Sequence, residues 1–259
     1  KLWSSKHPHI RRTTTRNINL KFDVERTLEE KGEEREFGFE VTPQYETVSL
    51  GKKVIGTEVI HNCRSRNIEV TSTRLKPNTK FYVFMDNVDI TSYCVPKLLQ
   101  ISMTRGTFTT GDIVESSIEV DNLLGFAETP DIMFRVATEN HKTGPFNAPT
   151  ETYKNEPYTK SALSGSYSSS STILNIDTAG LALEVEPNQL GWVRKGMTLA
   201  SQNGNAEADI SDLSLVTDEK GALTFSLHIP DPKVQSNPKF TTGTNTIRLT
   251  TSPTNESKL

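Results

Sequence analysis

The sequence is poor in the features that staple a chain, carry it into lipid or wrap it around a thick core. It holds two cysteines, Cys63 and Cys94, among 259 residues, which is no disulfide framework. We expect both as free thiols. No apolar run reaches the roughly 18 residues of a membrane-crossing helix. Residues 1–16 are basic but lack the apolar stretch of a signal peptide. Only 34% of residues are hydrophobic, below the usual ~45–50%, an average that also counts glycine. This argues for thin two-layer β modules whose strands show one face to water. A net charge of -3 gives no strong field for nucleic acid or an anionic membrane, so neither is an expected partner. The chain begins at Lys1 and not at Met, which we read as a fragment or a processed chain.

The patterns of catalysis are missing as well. The five histidines, His7, His9, His61, His141 and His228, are scattered, whereas zinc requires clustered ligands. His61 with Cys63, and His7 with His9, are isolated pairs. There is no Gly-rich phosphate loop and no Gly-x-Ser-x-Gly elbow. The serines at 168–171 sit in a loop where no base is fixed beside them. Asp86 and Asp89 could be paired carboxylates, but they flank a turn, where Asp bonds to nearby backbone. Asp209, Asp212 and Asp218 lack the EF-hand spacing. We therefore expect no enzyme, no cofactor and no metal.

What is present is extended chain. Residues 1–50 read as an arm, with a charged stretch at 25–36 that lacks an apolar stripe and suits a solvated linker. Ile68, Val70 and Ser72 alternate with polar residues, which predicts a strand. The turn Leu75-Lys76-Pro77-Asn78-Thr79 leads into Phe81-Tyr82-Val83-Phe84-Met85, apolar on both faces and so a central strand. Asp86-Asn87 suits a tight turn, because Asn tolerates left-handed geometry. Leu223, Phe225, Leu227 and Ile229 alternate strictly with Thr224, Ser226 and His228. A last strand covers 246–250. Further strands are expected at 108–114, 132–136, 173–176, 181–185, 197–200 and 206–210. Residues 140–171, rich in Ser, Thr, Pro, Asn and Tyr, form a long loop, of the kind that is functional or mobile. No run sustains a period of 3.6, so few helices are expected.

Two resemblances follow from these residues. The Leu75-to-Phe81 segment is similar to the Leu-x-Pro-x-Thr-x-Tyr corner of fibronectin type III sandwiches, with Phe81 where the corner tyrosine stands. The wider stretch from Ile60 to Pro96 resembles a segment of large structural proteins of tailed phages, notably cyanophage myoviruses. It carries Arg64-Ser65-Arg66, Leu75-Lys76-Pro77-Asn78-Thr79 and Phe84-Met85-Asp86-Asn87-Val88-Asp89-Ile90, with Asn87 where that family has Gly. The order continues at Thr217-Asp218-Glu219-Lys220-Gly221, at Ile229-Pro230 and at Phe240 through Arg248-Leu249-Thr250. The resemblance covers roughly a third of the chain. It implies a virion component of the tail, baseplate or fibre region, located in the virion.

The expected architecture is mainly β. An immunoglobulin/fibronectin-like β-sandwich is built from residues 51–104 and 213–252, a small β domain at 105–212 is inserted into it, 1–50 is an extended N-terminal arm, and 253–259 is a tail. Expected partners are other virion proteins and further copies of the chain, as trimers or hexamers. Arg64 and Arg66 are candidate interface cations; the alternative is cross-strand pairing with Glu69 or its neighbours. Tyr153, Tyr158 and Tyr167 are candidate glycan contacts if the chain instead recognises a host-surface glycan, while Trp3 and Trp192 suit either role. A non-phage extracellular β-module is the remaining alternative.

Overall fold

The structure, a computed structural model, describes residues 20–25, 40–45, 61–117, 132–183 and 191–256. The chain divides into two compact units by its contacts, one within residues 1–60 and one within 61–259. In the first, β1 (Leu20–Glu25) pairs antiparallel with β2 (Glu40–Tyr45), so the expected arm contains a strand pair. The expected linker at 26–36 and Trp3 lie outside the described residues.

The second unit is mainly β. In chain order its strands are β3 (Arg66–Ser72), β4 (Lys80–Met85), β5 (Val88–Asp89), β6 (Cys94–Pro96), β7 (Leu98–Gly106), β8 (Ile113–Ser117) and β9 (Met133–Arg135). There follow β10 (His141–Thr143), β11 (Glu151–Thr152), β12 (Ile173–Asn175), the short helix α1 (Thr178–Leu183), β13 (Thr198–Ser201) and β14 (Ala206–Asp212). The last are β15 (Leu215–Val216), β16 (Leu223–Ile229) and β17 (Ile247–Thr250).

Two distant stretches of chain build one apolar body. β16 pairs with β3 over seven residues, Leu223 opposite Ser72 to Ile229 opposite Arg66, and with β6 on its other side. β4 lies between β15 and β17 and also pairs with β5. These two sheets share one core. Phe81, Val83 and Met85 of β4 join Leu223, Phe225, Leu227 and Ile229 of β16, with Phe240 and Leu215. β4 is the central strand its composition predicts. The β4–β5 turn is formed by Asp86 at φ 48° and Asn87 at φ 68°, the double left-handed geometry that favours Asn there.

The second core is a closed sheet. Its order is β12-β7-β14-β13-β8-β9. The two ends then meet: Val136 bridges Ile176, the Asp177 N–H donates to the Arg135 carbonyl at 3.0 Å, and the Ala137 N–H donates to the Asn175 carbonyl at 2.9 Å. Closure removes the exposed edges that invite aggregation. The interior is filled by Leu99, Ile101, Phe108, Val114, Phe134, Leu174, Leu199 and Ile210, among others. β7 crosses position 104, where the sequence suggested a boundary, and pairs along its whole length within this barrel.

Two strand expectations are corrected. Residues 181–183 are helical, not extended. Leu181-Ala182-Leu183 mimics a period of two, but Asp177 Oδ1 accepts the Gly180 N–H at 3.1 Å and starts a helical turn. Leu181 is buried while Leu183 is 76% exposed. The strand expected at 108–114 begins only at Ile113. Phe108 is buried in the barrel, and the Asp112 carboxylate then binds the Thr109 N–H and hydroxyl at 2.8 and 2.7 Å, which makes a turn. The long segment 140–171 is tied down by the β10–β11 pair and by side-chain bonds to Glu139 and Glu156.

Gly221 closes the turn that leads into β16, at φ 73°. A Cβ placed there would lie 2.0 Å from the Leu75 carbonyl oxygen. Gly221→Ala therefore combines a backbone clash with an unfavourable dihedral. It should lower unfolding stability by more than about 1 kcal/mol, read as a lower urea midpoint at unchanged m-value.

Candidate functional site: the polar seam on the outer face of β16

Alternation along β16 sends Leu223, Phe225, Leu227 and Ile229 into the two-sheet core and Thr224, Ser226 and His228 to the other face. The sequence predicts that this other face meets water. It does not: Ser226 is fully buried and His228 is 3% exposed. The groups that cover it come from the barrel side, and because the strand is polar there, the contact is built from hydrogen bonds.

At one end stands Asn67 of β3, fully buried and directly opposite His228. Its Nδ2 donates to the Gly191 carbonyl at 2.8 Å and to Ser226 Oγ at 2.9 Å. Its Oδ1 accepts the Gly191 N–H at 2.8 Å and lies 3.1 Å from His228 Nδ1. His228 stacks on Trp192, with ring centroids 4.9 Å apart and planes 19° apart. Its Nε2 is 3.5 Å from Ser65 Oγ. Burial alone pulls the His228 pKa down to about 4, so the ring is neutral at ordinary pH.

At the other end stands Lys97, the single residue between β6 and β7, 3% exposed. Its N–H donates to the Thr224 carbonyl of β16, and its own carbonyl accepts the Ile176 N–H beside β12. Its Nζ donates to the Ile176 carbonyl at 3.0 Å and approaches Thr178 Oγ1 at 3.5 Å. The Thr178 hydroxyl in turn donates to Glu69 Oε1 of β3 at 2.6 Å. Burial lowers the Lys97 pKa to about 8, against the opposing pull of Glu69 and Asp177. His141 is also buried, and its pKa is lowered by burial and then by the nearby Lys97 charge.

The residues singled out from sequence fall into two groups. Arg64 is exposed, and Arg66 is half-buried at the start of β3, with its Nε shielded and without an acceptor among the described residues. Glu69, the suggested cross-strand partner, instead accepts from Thr178. The three tyrosines turn inward. Tyr158 donates to the Leu98 carbonyl and Tyr167 to the Ala137 carbonyl, each at 2.6 Å, while Tyr153 is 8% exposed beneath Lys142. Burial raises all three phenol pKa values. Their hydroxyls are therefore committed to the fold, which is poor geometry for stacking on a sugar. Trp192 is buried against His228 and Tyr93.

Cys63 and Cys94 are free thiols; Cys94 donates to the Ile90 carbonyl, and burial holds its pKa well above the ordinary thiol value. Asp86 and Asp89 accept backbone N–H groups of Thr246 and Thr91. Asp218 caps the turn before β16 and pairs with Lys142 at 2.6 Å. Burial would raise its pKa, but the Lys142 and backbone donors outweigh this and hold it low. No group of three metal-ligating side chains occurs among the described residues. The sequence marked neither Asn67 nor Lys97: Asn67 falls on the polar side of a period-two pattern and so reads as solvent-facing, and Lys97 sits between two strands and carries no pattern.

The Lys97 pKa is about 8 when folded and about 10.5 when unfolded. Between these values the unfolded chain binds more protons, so stability rises with pH. From about pH 9 the Cys94 thiol, and then the buried tyrosines, of the unfolded chain ionise and oppose this trend. From pH 8 to 10 we expect a gain of roughly 2–3 kcal/mol from this residue. Urea titrations at pH 8, 9 and 10 should show it as the difference in unfolding stability between the wild type and Lys97→Met, since the thiol and phenol contributions are common to both.

Comparison with protein-family models, with curated proteins and with solved structures finds no match for this chain.

Proposed function

We propose that the chain is a structural component of a bacteriophage virion, in the tail, baseplate or fibre region, and that it acts by protein–protein assembly. The observation that carries this reading is the pairing of the two stretches that bear the phage-like motifs. β3 and β4 from the first stretch hydrogen-bond to β16 and β17 from the second, around one core. We read that body as an immunoglobulin/fibronectin-like sandwich into which the barrel is inserted.

The polar groups support a building role. The seam ties the two cores together through its lysine, threonine and asparagine. Such buried networks are costly to form and favour one arrangement over others. We read β3 as the docking surface: among the described residues it is the edge strand of its sheet, a place that suits addition of a partner's backbone. Arg64 and Arg66 stand at the start of that edge. An acceptor on a partner would satisfy the Arg66 Nε. Partners are further copies of the chain and other virion proteins.

Light scattering over a range of concentrations tests the assembly. We expect trimers or hexamers at micromolar protein, and the double variant Arg64→Glu/Arg66→Glu should shift them toward monomer. Immunogold labelling of purified particles should decorate the tail region. A monomer at high concentration that also labels no particle would sink the reading.

A further inference from the structure

Ser65, His228 and Asn67 lie in sequence, Ser65 Oγ 3.5 Å from His228 Nε2 and Asn67 Oδ1 3.1 Å from His228 Nδ1. The orientation of the Asn67 amide is fixed from outside the trio: Gly191 donates its N–H to Oδ1 and accepts from Nδ2, both at 2.8 Å. A flipped amide would lose both bonds. Oδ1 therefore faces His228 Nδ1 at 3.1 Å, and an amide oxygen only accepts. So Nδ1 carries the proton, and the unprotonated Nε2 lies 3.5 Å from Ser65 Oγ. The Trp192 ring fixes the imidazole plane. A hydroxyl within reach of a base that is itself oriented by a third group is the arrangement of an activated nucleophile. Ser65 is half-buried, while His228 is sealed below it, so only a small electrophile reaches the oxygen.

We propose that Ser65 is an acyl-accepting nucleophile, activated by His228 and oriented through Asn67, that takes acyl groups from small activated esters. Ser65 Oγ attacks the carbonyl carbon and its proton passes to His228 Nε2. The bond to the leaving alcohol breaks, and the alkoxide takes that proton from Nε2. Water then attacks the acyl-serine by the same route and releases the acid, so one ester and one water become one acid and one alcohol. The base is the neutral imidazole. Its immediate partners, Asn67, Ser65 and Trp192, carry no charge, and burial keeps its pKa near 4, so reactivity is level across physiological pH.

The test is labelling of the full chain by a fluorophosphonate, read by intact mass and peptide mapping, with p-nitrophenyl acetate turnover alongside. We expect one adduct on Ser65, none there in Ser65→Ala, and labelling slowed roughly 100-fold in His228→Gln if its thermal unfolding shows that it folds. The wild-type rate should be constant from about pH 6 to 8 and fall by half near pH 4 as the base is protonated. If the His228 variant fails to fold, the mapped adduct and its loss in Ser65→Ala still decide the matter. Absence of a Ser65 adduct, labelling that survives in folded His228→Gln, or an inflection near the free-histidine value of about 6.5 would overturn the proposal.

Discussion

The Asn67 side chain takes the place of a peptide group. By donating to and accepting from Gly191, it offers the barrel side what a neighbouring strand would offer, across a junction where no strand runs. The same amide touches Ser226 and His228. Four buried polar groups are thereby satisfied by one residue. Removing it would leave each of them unpartnered in a buried layer, where such a donor or acceptor costs about 1–3 kcal/mol. The apolar cores on either side are indifferent to register; this amide is not, and it sets how one body seats on the other.

Lys97 and Thr178 do the same at the far end by a different route. The Lys97 backbone is shared between β16 and the chain beside β12, and its ammonium, the Thr178 hydroxyl and the Glu69 carboxylate form a chain of hydrogen bonds running back to β3. An ammonium is an expensive thing to bury, and its lowered pKa measures that expense. The gain is directional: a methionine of similar length would fill the space without choosing a partner. Barrel closure through Val136 and Ile176 then fixes the position of α1, and so of Thr178.

Much of the fold was legible in the residues themselves. The all-but-helix-free character followed from the absence of any 3.6 period. The doubly apolar 81–85 run announced a central strand, and Asp86-Asn87 announced its turn. Leu223 to Ile229 announced the longest alternation. The failures have physical causes. Leu181-Ala182-Leu183 alternates like a strand, but its conformation was decided by the Asp177 carboxylate four residues before Leu181 forms its helical bond. For the tyrosines of the 140–171 segment the residues left glycan contact and core anchoring both open; their polar neighbours bond to Glu139 and Glu156, and the rings turn inward. The site itself was the least legible part. A strand whose polar side is buried writes the same pattern as one whose polar side is wet, and only the tertiary structure tells them apart.

A single residue, Lys97, joins β6 to β7, and the chain changes cores within this stretch, Cys94 lying in the two-sheet core and Val95 and Leu99 in the barrel core. A shuffled gene that kept only one of the two bodies would expose either a bare row of Thr, Ser and His or an unanchored Gly191. The pair should therefore travel through descent as one cassette, and variation in length should accumulate in the outlying turns and spare the crossing.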